Sequence, residues 1–244
     1  MCYDEEYYCA WIPQSLNQKE YALIRIQDSE YRALGAAVDL CKFKKMCNSR
    51  VKTTKLKFTH QNPLSLQKLE KIITRIEKER TIEKIIFCYS GRSFNIPDSP
   101  FPQIPLADSN WISAESLLEY FKDFHIIIFL DCSNTPITRF AVDKDIAPLS
   151  EAEIPVMDKI FEFKGKSIIA CCQKGECSFG DAENGSIFSS VFLTHLARTQ
   201  NWERAFADTA TDLASVKFTW EIGDPPKVLS QRGMHPFKYG EISQ

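Results

Sequence analysis

The sequence predicts an α/β fold, with a mostly parallel sheet covered by helices on both faces. Three observations lead there. From Tyr21 onward, short apolar strand signals alternate with stretches of helical period. Two runs, Lys84–Tyr89 and His125–Asp131, are nearly continuous in apolar residues, as strands buried on both faces are. Polar motifs follow both runs directly, and in such sheets the working groups sit beyond the carboxyl ends of the strands.

Tyr21-Ala-Leu-Ile-Arg-Ile-Gln27 reads as the first strand. Residues 33–47 read as a helix, with Leu34, Val38, Cys41 and Met46 as its apolar positions. Residues 51–59 alternate in character, which suits a strand buried on one face near a sheet edge. Asn62-Pro63-Leu64-Ser65 opens a helix that places Leu66, Leu69, Ile72, Ile73 and Ile76 on one face. After the strand at 84–89, residues 90–110 read as a loop rich in Ser and Pro (Pro97, Pro100, Pro102, Pro105). Residues 113–122 form a helix with Leu117, Leu118 and Phe121 inward, followed by the strand at 125–131. Residues 134–155 are polar and irregular, 167–171 is a short strand, and 187–198 and 202–216 are helices. Residues 1–20 are read as an N-terminal extension and 21–244 as one domain, without repeats.

Composition narrows the function classes. The chain has 244 residues, 44% hydrophobic and 25% charged, with a net charge of −2. That is an ordinary globular composition, and its charge balance gives no reason to expect a nucleic-acid or membrane partner. No apolar run approaches a membrane span, and the acidic start Met1-Cys2-Tyr3-Asp4-Glu5-Glu6 lacks a signal core. The expected location is therefore cytoplasmic, and the nine cysteines are expected to be mostly free thiols. Cys171-Cys172 and Cys177 lack CxxC spacing and read as buried thiols rather than zinc ligands.

The two strand ends carry the sharpest signal. The first continues as Phe87-Cys88-Tyr89-Ser90-Gly91-Arg92, the second as Phe129-Leu130-Asp131-Cys132-Ser133. These resemble the catalytic strand ends of caspase-like cysteine peptidases, the metacaspases and paracaspases, which carry tyrosine-(serine or alanine)-glycine-histidine and aspartate-x-cysteine. Other segments resemble the family in the same order: Tyr21-Ala-Leu-Ile with Asp28-Ser29-Glu30-Tyr31, Leu34-Gly-Ala-Ala-Val-Asp39, Ile104-Pro-Leu-Ala-Asp108, and Ile168-Ile-Ala-Cys-Cys172 followed by Gly185-Ser-Ile-Phe188. The resemblance covers roughly residues 20–240 and implies a caspase-like three-layer sandwich.

It also implies a missing dyad. Arg92 stands at the histidine position and Ser133 at the cysteine position. A thiolate nucleophile needs a nearby base, and an arginine guanidinium does not release its proton in proteins. A one-residue slip would offer Cys132 instead, but it would also reverse the face on which the side chain points, and the apolar run matches the family without a gap. His60, His125, His195 and His235 read as structural. The resemblance implies a substrate pocket for basic side chains at Asp131, with Asp39 as a second acid and Glu176 or Asp181 as a third. The plainer reading is that Asp39 caps or solvates a helix and Asp131 a strand end; a further one is that Arg92 fills the acidic pocket. Gly180-Asp-Ala-Glu-Asn-Gly185 lacks the EF-hand register and reads as a solvated turn, with calcium as the alternative. No other cofactor is expected.

These readings combine into a catalytically inactive caspase-like protein with a regulatory or binding role. Its expected partner is a protein or peptide with basic residues, including an active caspase-like relative. The alternatives are an Arg/Lys-specific endopeptidase using Ser133 or Cys132, and an interaction module that does not use the cleft.

Overall fold

The computed structural model describes residues 9–13, 20–27, 36–47, 65–78, 82–91, 93–106, 110–134, 159–181, 184–222 and 227–244. In chain order the elements are β1 (Cys9–Pro13), β2 (Glu20–Gln27), α1 (Ala36–Cys47), α2 (Leu66–Lys78), β3 (Ile82–Gly91), β4 (Gln103–Pro105), β5 (Trp111–Ser113), α3 (Ala114–Tyr120), β6 (His125–Cys132), β7 (Lys164–Ala170), β8 (Gly180–Asp181), β9 (Gly185–Ser186), α4 (Ile187–Thr199), α5 (Trp202–Ala214), β10 (Lys217–Ile222), β11 (Lys227–Arg232) and β12 (Phe237–Ser243). The main sheet has six strands in the order β1-β2-β3-β6-β7-β12. The pairs from β2 to β7 are parallel, and the edge strands β1 and β12 are antiparallel to their neighbours.

Strand alternation builds the two cores. Ile86 and Cys88 of β3 and Ile127 and Phe129 of β6 pack with α1, α4 and α5. Ile85, Phe87 and Tyr89, with Ile126, Ile128, Leu130 and Cys132, pack with α2 and α3. The Phe129 ring touches Phe43 of α1 at 4.7 Å and Phe188 and Phe192 of α4 at 5.0 and 4.9 Å between centroids. Both faces of the sheet are thus covered, which makes the three layers.

Local capping sets the helix starts. The Ser65 hydroxyl accepts the Lys68 amide at the head of α2, Ser113 caps α3 through the Ser116 amide, and Asn201 caps α5 through the Arg204 amide. α2 buries Leu69, Ile72, Ile73 and Ile76, the face its periodicity predicts.

The strand expected at 51–59 lies outside the described residues. Other expectations meet a different outcome. The stretch before residue 21 contributes β1, which pairs with β2 from Cys9 to Pro13. The loop at 90–110 contains the short β4, which pairs with β5. The end of the chain, without assigned strands in the sequence reading, forms the β10–β11 hairpin and edge strand β12. Among β12 residues only Ile242 is buried, so no apolar alternation announces it. Cys88, Cys132, Cys171, Cys172 and Cys177 are buried thiols outside any disulfide, whereas Cys41 is disulfide-bonded. Among the described residues, no helix is long and apolar enough to cross a membrane.

Candidate functional site

The register of β3 and β6 brings the two sequence motifs side by side. Ser90 is opposite Asp131 and Gly91 is opposite Cys132. Arg92 lies outside the described residues. Ser133, the first residue beyond β6, is 8% exposed. Its Oγ accepts the Ser178 amide (3.1 Å), and its carbonyl accepts the Ser93 hydroxyl.

Asp131 and Cys132 leave β6 on opposite faces. Asp131 points toward α4: Oδ1 accepts the Ser178 hydroxyl (2.9 Å), and Oδ2 accepts the Ser189 amide (3.2 Å) and the Ser189 hydroxyl. Asp39 reaches the same place from α1. Its Oδ2 accepts the Ser90 hydroxyl (2.8 Å) and its Oδ1 the Ser186 amide (2.8 Å). Gly185, at φ 78°, permits this approach, because a Cβ there would lie 2.2 Å from Asp39 Oδ1. The two carboxyls therefore meet at the start of α4, whose unpaired amides favour negative charge.

Both carboxyls are nearly sealed from solvent, at 1% exposure for Asp39 and 3% for Asp131. Burial pushes the Asp39 carboxyl well above its ordinary range and the charge of Asp131 adds to this, against the Ser186 amide, the Ser90 hydroxyl and Lys42. Burial likewise raises Asp131, opposed by the hydroxyls of Ser186, Ser189 and Ser178. Lys42 is itself buried, and its ammonium donates to the Asn184 carbonyl (2.6 Å) and the Ser190 hydroxyl (2.8 Å).

Cys132 sits with the α2–α3 core at 2% exposure. Burial, then the neighbouring Cys171, pushes its thiol well above the ordinary value, so it is a neutral thiol and a poor nucleophile. Around it, the sulfurs of Cys171 and Cys172 lie 3.6 Å apart, and both donate to the Cys132 carbonyl, at 3.1 and 3.5 Å. Burial pushes the Cys177 thiol up to about 12.

The remaining candidates are held elsewhere. Glu176 is turned to His235, with Oε1 2.5 Å from Nδ1 and Oε2 accepting the His235 and Gln173 amides. The backbone of Asp181 pairs with Gly185 in the β8–β9 hairpin, and its side chain lies outside the described residues, as do Ala182 and Glu183 of the possible calcium turn. Among the described residues, no group of three or more His, Cys, Asp or Glu is placed to hold a metal ion. His125 opens β6, at the end opposite Asp131, and its Nδ1 accepts the Gly165 amide. His195 lies between Asp212 (2.7 Å from Nε2) and Arg198 (3.0 Å from Nδ1). His60 lies outside the described residues.

Caspase-1 from Spodoptera frugiperda superposes with a TM-score of 0.56 over 89% of this chain and 86% of that one, at 14% sequence identity. The fold is caspase-like. No protein-family model matches the sequence, and no curated protein does.

The sequence reading named Asp39, Asp131, Cys132 and Ser133; the serines at 90, 178, 186 and 189 and Lys42, which the structure brings around the two carboxyls, it did not name as site residues. Ser186 carried a signal, since it is the N-cap of α4 and its hydroxyl accepts the Phe188 amide. Lys42 carried a weaker one, three residues after Asp39 on the same helix face. Ser178 carried none, because only the packed loop brings it to Asp131.

Proposed function

We propose that this chain is a non-cleaving protein of caspase-like fold that acts by binding other proteins, in a regulatory role. The observation that carries the reading is the end of β6. Ser133 stands where the resemblance puts the thiol, and its hydroxyl oxygen already accepts the Ser178 amide. Cys132 is a poor substitute, being buried on the other face with a raised pKa. A serine at this place needs an adjacent base. Each of His125, His195 and His235 has a hydrogen-bond partner of its own.

The partner class is a protein or peptide bearing basic residues, of which an active relative of the same fold is one form. Burial of both Asp39 and Asp131 under the serines of α4 favours contact through the outer surface over capture of an Arg or Lys side chain by the acid pair.

The test is a cleavage assay. Purified protein incubated with fluorogenic peptides ending in Arg or Lys, with and without calcium, is expected to show no turnover. Turnover abolished by Ser133→Ala or Cys132→Ala would overturn the reading in favour of an endopeptidase. Binding then separates the two modes of contact: wild type and Asp131→Asn should hold an immobilised basic peptide equally if the outer surface makes the contact.

A further inference from the structure

The loop after β3 carries Pro97-Asp98-Ser99-Pro100, a serine with proline two residues before and one residue after it. Pro97, Asp98 and Pro100 are exposed and Ser99 is half-buried. We propose that Ser99 is a phosphorylation site for a proline-directed serine/threonine kinase, with ATP as the phosphoryl donor. The inference holds whether or not the chain cleaves peptides.

The recognition argument is stereochemical. Proline lacks an amide hydrogen and has a fixed φ. A kinase groove that offers no acceptor at the position after the serine takes proline and disfavours residues whose N–H would be left unpaired there. Proline also keeps the residue before it out of the helical region, so Ser99 is pre-set toward the extended form a groove can hold. The hydroxyl is at hand: it accepts the Phe101 amide (3.1 Å), and its one proton can go to Glu115 Oε1 (3.2 Å) at the surface or to the Phe101 carbonyl (3.1 Å). In the reaction Ser99 Oγ forms a bond to the γ-phosphorus, the bond from that phosphorus to the β,γ-bridging oxygen breaks, and ADP leaves. The hydroxyl proton passes to the kinase's base.

The surroundings convert the modification into a structural change. Phosphate adds about −1.5 to −2 charges and cannot donate the bond to Glu115, which it repels. Among the described residues, Lys174 is a cation close to the turn. Its Nζ donates to the carbonyls of Ile96 (3.1 Å), Pro97 and Ser99 (3.4 Å), which closes the turn from below. A phosphate on Ser99 competes for that ammonium and loosens the turn. The same turn is tied to the end of β6: Asn95 Nδ2 donates to the Ser99 carbonyl (3.3 Å) and to Asn134 Oδ1 (2.8 Å), and Asn134 Nδ2 donates to the Pro100 carbonyl (2.9 Å). Phosphorylation at Ser99 therefore reaches the segment that carries Ser133.

The experiment incubates the native, full chain with a purified proline-directed kinase of the mitogen-activated class and Mg-ATP, and maps phosphate by mass spectrometry. The expected result is phosphate on Ser99, lost in Ser99→Ala and unchanged in Thr135→Ala, which removes the other Ser/Thr-Pro dipeptide of the chain. Amide exchange over residues 94–101 should quicken several-fold in the phosphorylated protein. No incorporation, phosphate confined to Thr135, or incorporation only after denaturation would overturn the proposal. Unchanged exchange over 94–101 would overturn the coupling to the turn.

Discussion

On one side of β6, Asp131 ends among hydroxyls, amides and a second carboxyl; on the other, Cys132 ends in the mainly apolar α2–α3 core, with Ser93 and Cys171 near its thiol. The residues are consecutive, and the pleat of the strand sends them to different layers. The polar side is cross-linked through long sequence separations, with Asp39 from α1, Ser178 from the loop after β7, and Ser186 and Ser189 from the start of α4. The apolar side has fewer such links, Ser93 at the Cys132 thiol among them. The polar side therefore depends on many segments being in place at once, whereas the other depends on volume and shape. That difference explains how two consecutive residues of one strand serve two different layers.

The comparison can be broken most severely in the shared strand. Phe129 is packed between α1 and α4, so Phe129→Ala should lose about 3–5 kcal/mol, read by denaturant unfolding. A loss under about 1 kcal/mol would mean the layer is loosely packed. Asp131→Ala is next. It strands the Ser178 hydroxyl and the Ser189 amide and hydroxyl, and each unmet buried group costs about 1–3 kcal/mol. Asp131→Asn should recover most of that stability, because its oxygen can face the Ser189 amide and its NH₂ the Ser178 hydroxyl. Equal losses for the two variants would argue that charge, not hydrogen bonding, holds α4.

On the opposite face Cys132→Ser places a hydroxyl where a thiol is buried, at a cost of about 1–3 kcal/mol. On the proposed non-cleaving function, the variant is expected to show no peptide turnover. A gain of turnover would put residue 132 in the nucleophile's place and reverse the face assignment.

The smallest effect sharpens the electrostatics. Both Asp39 and Asp131 titrate above the ordinary carboxyl value of 3.8. The folded state then holds protons that the unfolded chain releases. Their contribution to stability is fully present below the ordinary value and is lost as pH rises through the raised ones. Asp39→Asn has no such proton and can still pair with Ser90 and Ser186, so its stability at neutral pH should be within about 1 kcal/mol of wild type or above it. Its advantage should grow from acid toward neutral pH in urea melts. A variant that loses stability relative to wild type as pH rises would show that the carboxylate is favoured in place.

The motif positions could be read without coordinates because they follow apolar runs whose length and composition specify central parallel strands. Asp131, Cys132 and Ser133 are neighbours in sequence, and period-two alternation assigns their faces before any packing is known. The edges were harder. β12 gains its place by hydrogen bonding to β7 with only Ile242 buried, and an edge strand needs little apolar pattern to do so; β1, though apolar throughout, is too short to declare itself and is placed by pairing with β2.

The sequence by itself determined the layered α/β architecture, the central strands, the absence of histidine at position 92 and of cysteine at position 133, and the opposite facing of Asp131 and Cys132. All of these depend on residue identity or on periods within one element. Only the tertiary structure decided that Asp39 and Asp131 are buried together, that serines from three segments satisfy them, and that Glu176 turns away to His235. A carboxylate has the same sequence signature in an open pocket and in a closed core. Its environment is set by long-range contacts, here separated by 51 residues for Ser90–Asp39 and 147 for Ser186–Asp39, which no local pattern encodes.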